Sequence, residues 1–110
     1  MGSNTFLGEF EHLVLLAVMQ LTDDAHAIRV REQIEGRADR RVARGALYGT
    51  LTRLQEKGFL DWQVEESTPE RGGIPRRRFT VTADGVEALR ASQRAIANLS
   101  EGLEQALRDQ

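Results

Sequence analysis

The chain has 110 residues, enough for about one domain with a thin core. It contains no cysteine, which excludes a disulfide framework, zinc-finger thiolates and a thiol nucleophile. The formal charge is only −2, from 17 acidic and 15 basic side chains, and the longest apolar run, Leu13 to Met19, is far shorter than the ~20 residues a membrane-spanning helix needs.

No signal-peptide pattern opens the chain, so a cytoplasmic protein is the default expectation. Leu7, Phe10, Leu13, Val14, Ala17, Val18 and Leu21 recur at three- and four-residue steps, which predicts a first helix over 6–21. Thr22-Asp23-Asp24 breaks that pattern and offers N-cap chemistry to a second helix over 25–35. Ala27, Ile28, Val30 and Ile34 are its apolar positions, and Gly36 is its C-cap. A basic, polar stretch over 36–43 leads into a third helix over 44–57, with Ala46, Leu47, Leu51 and Leu54 inside and Gly58 as its stop.

The period then changes to two. Leu60, Trp62 and Val64 alternate with Asp61, Gln63 and Glu65, which predicts a half-buried strand over 59–66. Phe79 and Val81 alternate with Arg78, Thr80 and Thr82 in a second strand over 76–82. Two prolines and paired glycines make the segment between them a turn-rich loop, so the strands form a long hairpin. A last helix is predicted over 83–108, capped by Thr82 or Asp84, with Val86, Leu89, Ile96, Leu99, Leu103 and Leu107 at helical spacing. The fold class is mostly α with a small β-hairpin. Three helices followed by a hairpin is the winged helix-turn-helix plan, over 1–82, and 83–110 adds a helix to the same compact unit.

The charges are uneven. Residues 1–35 sum to −4, 36–57 to +4, 58–68 to −3, 69–78 to +3 and 79–110 to −2. Two compact basic islands in a mildly acidic chain suit a reader of a polyanion, and double-stranded DNA is the expected partner. The outer face of the third helix is Gly45, Tyr48, Gly49, Thr52 and Arg53. Each glycine there costs about 1 kcal/mol of helix stability relative to alanine. A solvent-facing helix gains nothing from that loss, whereas a helix lying close against a groove does. The Tyr48 hydroxyl suits a phosphate oxygen, and Thr50 and Thr52 suit phosphate or a thymine methyl. Arg40, Arg41 and Arg44 stand at the helix start, where free amides favour an anion. In the hairpin loop, Arg71-Gly72-Gly73 precedes Pro75-Arg76-Arg77-Arg78, a flexible basic tip suited to a DNA backbone or minor groove. The plainer alternative packs Tyr48 and Gly49 against a neighbouring helix and leaves the loop arginines solvated.

Val86, Leu89, Ile96, Leu99 and Leu103 form a stripe longer than one small domain readily covers, with Phe6, Leu7 and Phe10 as part of its cradle. That predicts a homodimer whose two third helices stand about 34 Å apart, matching an inverted repeat. The alternative folds the last helix back on its own domain. Catalysis is not expected. His12 and His26 are far apart, there is no nucleophile–base pair, and Glu9-x-x-His12 occurs once where a di-metal site needs more, so neither a metal nor a cofactor is expected.

Gly45-Ala46-Leu47-Tyr48-Gly49-Thr50-Leu51-Thr52-Arg53-Leu54-Gln55-Glu56-Lys57-Gly58-Phe59-Leu60 resembles the recognition-helix segment of the PadR family of bacterial transcriptional regulators. Arg71-Gly72-Gly73 through Arg77-Arg78-Phe79-Thr80-Val81-Thr82-Ala83-Asp84-Gly85 is similar to that family's wing and the beginning of its C-terminal helix. The resemblance implies a dimeric winged-helix DNA binder, usually a repressor, in some relatives responsive to small aromatic compounds or drugs. It implies that Gly45, Tyr48, Thr50 and Arg53 lie on the DNA-reading helix and Arg71, Arg76 and Arg77 on the wing. Many members carry an aromatic residue followed by glycine at the start of the second helix, where this chain has His26-Ala27, and a tyrosine where it has Phe79. Trp62 suits either an effector pocket or the core. The rival reading is a winged-helix protein-interaction module that binds no DNA, which leaves both arginine islands without a role.

Overall fold

The apolar stripe of the first helix is enclosed by the rest of the chain. The computed structural model describes residues 6–66, 72 and 75–108. In it α1 spans Glu9–Leu21, followed by a 3-10 turn at Thr22–Asp24, α2 at Ala27–Arg37 and α3 at Arg44–Glu56. Strands β1 (Leu60–Glu65) and β2 (Arg76–Val81) follow, then α4 (Ala83–Ser100) and the short α5 (Glu104–Leu107). Helix α1 packs against α2, α3, β2 and α4. Around its Val14, Leu15 and Val18 close Val30 and Ile34 of α2, Leu47, Leu51 and Leu54 of α3, Leu60, Phe79 and Leu89. Each such side chain contributes about 1.5–3 kcal/mol by leaving water. The strands form one antiparallel hairpin, in register from Leu60 opposite Val81 to Glu65 opposite Arg76. This is the expected mostly helical winged plan.

Three local expectations are corrected. Gly36 does not end α2; the helix continues to Arg37, and the left-handed turn falls on Asp39 at φ 53°, a residue type that tolerates it. Thr22-Asp23-Asp24 does not cap α2, because those residues form their own 3-10 turn. His26 is the N-cap residue and makes no side-chain cap, while the Asp24 carboxylate accepts from Arg29 Nε at 2.8 Å. The last helix is not continuous to 108. It stops at Ser100, and Gly102 adopts φ +87°, which is open to glycine and interrupts the helix before α5.

Thr82 does cap α4, accepting from the Gly85 N–H at 3.0 Å while its own hydroxyl donates to the Gly58 carbonyl at 2.7 Å. The first turn of α4 therefore rests on the corner between α3 and β1. There Gly85 is a packing requirement. A Cβ on it would collide with the Phe59 carbonyl oxygen and lie 2.7 Å from Val81 Cγ1. The other end of α4 projects. The Cα radius of gyration is 15.8 Å, against about 13 Å for a compact chain of this size. From Arg90 to Ser100 all residues except Ser92 and Ser100 are exposed. No described helix is long and apolar enough to cross a membrane.

Helix propensity alone favours alanine at position 85 by about 1 kcal/mol, but the collision dominates. Gly85→Ala should lower the unfolding free energy by about 1–3 kcal/mol, read from the urea midpoint at unchanged slope.

Candidate nucleic-acid interface

Helix α3 has one covered face and one bare face. Leu47, Thr50, Leu51 and Leu54 are buried, while Gly45, Gly49 and Thr52 run along the opposite side in solvent. A Cβ at Gly45 or Gly49 would meet nothing within 4 Å, so no packing in this chain calls for glycine at either place. The alternative in which Gly49 packs against a neighbouring helix does not hold. Two positions differ from expectation. Ala46 is exposed rather than inside. Thr50 is 2% exposed and is not available to a ligand. It lies one turn from both Leu47 and Leu54 on the covered face, and its Oγ1 accepts from Arg53 Nη2 at 3.1 Å.

Tyr48 marks the edge of the bare face nearest the hairpin. It is 43% exposed, with the Arg44 guanidinium 6.0 Å from its ring centre. It shares a cleft with Trp62, Arg77 and Phe79. Trp62 is half-buried against the core, and the Arg77 guanidinium lies 4.3 Å above its ring, a cation–π contact. The other two arginines of β2, Arg76 and Arg78, have acidic partners. Arg76 Nε donates to Glu65 at 3.2 Å, and Arg78 reaches Asp23 at 3.3 Å and Glu65 at 3.4 Å. Gly72 is exposed with φ +66°. Arg71 and Gly73 lie outside the described residues.

His26, where relatives often carry an aromatic residue, is buried, with Nε2 2.9 Å from Glu65 Oε1. It ties the start of α2 to the far end of β1. The hydrogen bond from His26, reinforced by Arg76, holds the Glu65 carboxyl below its ordinary range.

The opposite edge of the bare face is an open groove of about 540 Å³ whose lining includes Arg40, Arg41, Gly45, Gly49 and Arg53. Arg40 stacks 5.5 Å from the Phe10 ring centre and pairs with Glu9 at 3.2 Å. Arg41 and Arg44 have no ion pair among the described residues. Arg53 Nε donates to Glu11 at 3.2 Å, and Lys57 Nζ donates to the same carboxylate at 2.8 Å. Glu11 is only 6% exposed. Burial by itself would raise its carboxyl pKa. Hydrogen bonds from Lys57, the Gly8 N–H and Arg53 outweigh burial and bring the pKa below the ordinary value. Sequence reasoning gave Glu11 no such role, although the signal was present: it stands three and seven residues before Val14 and Val18, an acid on an apolar face.

The expected dimerisation stripe divides in two. Leu89 is buried in this chain's own core, and Val86, Leu7 and Phe10 are half-buried, because the first turns of α4 pack on α1 and β2. Phe6, Ile96, Leu99 and Leu103 are exposed, Leu99 to 81%. Among the described residues no group of acidic or histidine side chains is arranged to hold a metal.

A helix with a bare outer face, set beside a basic β-hairpin and carried on a three-helix core, defines a winged helix-turn-helix protein. Residues 15–91, more than half of the chain, match the transcriptional regulator PadR-like family, and the chain belongs to that family. A PadR-like transcription factor from bacteroid fragilis is similar at TM-score 0.70 and 26% identity, over 88% of each chain. A PadR family transcriptional regulator from Eggerthella lenta gives TM-score 0.69 at 22% identity, over 93% of this chain and 88% of that one. A PadR-like regulator from Bacillus cereus gives 0.71 at 18%, over 92% and 93%; these last two share the fold. No curated protein matches the chain.

Glu11 also sets a pH dependence. Its folded pKa is depressed, so its stabilisation is full above the ordinary carboxyl value of 4.5 and is lost as pH falls through the folded pKa. The wild-type thermal midpoint should fall on that acid limb. Glu11→Gln, followed by circular dichroism, should show a shallower fall.

Proposed function

We propose that the protein is a dimeric transcriptional repressor that binds an inverted-repeat DNA site. In this reading the bare face of α3 enters the major groove and the hairpin lies on the backbone or minor groove. The observation that carries it is the α3 surface itself. Two glycines that no packing explains form a smooth strip, and Arg41, Arg44 and Arg77 beside it have no acidic partner among the described residues. Unanswered cations along a strip shallow enough for close approach suit phosphates flanking a groove. Repression is the mode that the resemblance to the PadR family implies.

Dimerisation is supported by the projecting half of α4. Ile96, Leu99 and Leu103 are large, apolar and exposed, and Phe6, Leu13 and Leu16 line a depression with Ile96. An uncovered apolar arm of this kind suits burial against a second copy. The two-fold pair would then set its α3 helices about 34 Å apart, one turn of duplex. Residues 83–110 are thus assigned the pairing role, with the first turns of α4 shared by the winged unit.

Reversing two of the three charges beside the α3 strip, Arg41→Glu with Arg44→Glu, should weaken binding to a duplex selected from random DNA by at least about 100-fold, at a few kcal/mol for two lost phosphate contacts. Gel shift reads it, with the fold and dimer unchanged. Wild-type affinity should fall with salt at about −0.9 in log–log slope per phosphate neutralised. A flat salt response would instead indicate a protein-interaction module, and binding unchanged by the double reversal would remove Arg41 and Arg44 from the DNA contact. Ile96→Glu with Leu99→Glu should shift the dimer to monomer in sedimentation; a variant that remains dimeric removes α4 from the interface.

A further inference from the structure

The DNA-reading helix does not hold its arginine alone. Arg53 lines the groove beside Gly45 and Gly49, yet its guanidinium is anchored at two points. Nε–H donates to the Glu11 carboxylate of α1 at 3.2 Å, and Nη2 donates to the buried Thr50 hydroxyl at 3.1 Å. A guanidinium has five N–H donors; these two contacts use two, and three remain. The anchor is rigid for a stated reason. Glu11 is 6% exposed, and its second oxygen is held by the Gly8 N–H at 2.9 Å and by Lys57 at 3.0 Å. A long, flexible arginine is thereby held in one orientation before any ligand arrives, which removes ordering entropy from the binding step.

We propose that Glu11 is a positioning residue for DNA recognition, acting through Arg53: the carboxylate on α1 and the Thr50 hydroxyl together preset the Arg53 guanidinium to receive one backbone phosphate in register. The same carboxylate answers Lys57 and takes that cation out of non-specific attraction. Phosphate contacts of this sort carry no base information but fix the register in which base contacts are made. Glu11 therefore favours the correct site over random duplex, although it bears the wrong charge to touch DNA. The proposal rests on the DNA-binding reading above.

The test compares wild type, Glu11→Gln and Thr50→Val by fluorescence anisotropy, on a duplex selected from random DNA and on a scrambled duplex, across a range of salt. For Glu11→Gln the ratio of selected to scrambled affinity should fall about tenfold, equivalent to about 1.4 kcal/mol. Its slope on the scrambled duplex should steepen by about 0.9 for each released cation that reaches a phosphate. Thr50→Val removes the other anchor without changing charge, so the ratio should fall while the slope stays. Circular dichroism checks folding, and Thr50→Val alone decides if Glu11→Gln is unfolded. A folded variant with an unchanged ratio overturns the positioning role while DNA binding stands. A wild-type protein that binds neither duplex overturns the DNA-binding reading and this inference with it.

Discussion

A carboxylate taken out of water must have its charge answered, and Glu11 is answered from another helix. Its partners Arg53 and Lys57 both lie in the last turns of α3 or just past them, so one buried anion on α1 sets how α3 lies across the core. Apolar packing alone would let α3 slide or roll, because burial is not directional. A short, charge-assisted hydrogen bond is directional. With Leu47, Leu51 and Leu54 held inward, Gly45, Gly49 and Thr52 are turned out. Removing one partner of such a group is costly, because the charge that stays behind is left buried and unpaired.

The same accounting divides the basic residues. Arg29, Arg40, Arg53, Lys57, Arg76 and Arg78 each have an acidic partner, and most of these pairs join one element to another. Arg78 is a strut between the hairpin and the turn after α1, and Glu65 is shared by His26, Arg76 and Arg78. Arg41, Arg44 and Arg77 border the bare face and have no acidic partner among the described residues. A net charge of −2 therefore coexists with a local cationic strip. Such a distribution suits selective rather than indiscriminate attraction to a polyanion.

Much of the fold was legible because its elements are amphipathic. The three-to-four spacing from Leu7 to Leu21 and the alternation of Leu60 and Trp62 with Asp61 and Gln63 each correspond to one covered face, although Val64, expected to continue the alternation, is exposed, and Gly58, at φ +82°, ends α3 where expected. What escaped depends on neighbours. Thr50 reads as a polar contact residue, but α1 covers its side of α3. Leu89 and Leu99 belong to one periodic stripe, and only the tertiary packing of α1 and β2 against the first turns of α4 separates them. Gly85 reads as a helix-start residue, whereas its reason is the carbonyl of Phe59 pressed against it. Of the site, the glycine strip and Tyr48 were visible in the sequence. The pairing of Glu11 with Arg53 and Lys57 was not, because partners 42 and 46 residues apart leave no periodic trace.

The central claim is that the uncovered side of α3 faces the duplex. The chain has no cysteine, and position 49 has open space around it, so Gly49→Cys gives a unique attachment point for a photoactivated crosslinker. On a duplex bearing the selected inverted repeat, the account predicts adducts to the DNA at two positions about one helical turn apart. Adducts only within the protein, or none on DNA under conditions where the labelled protein still binds, would contradict it.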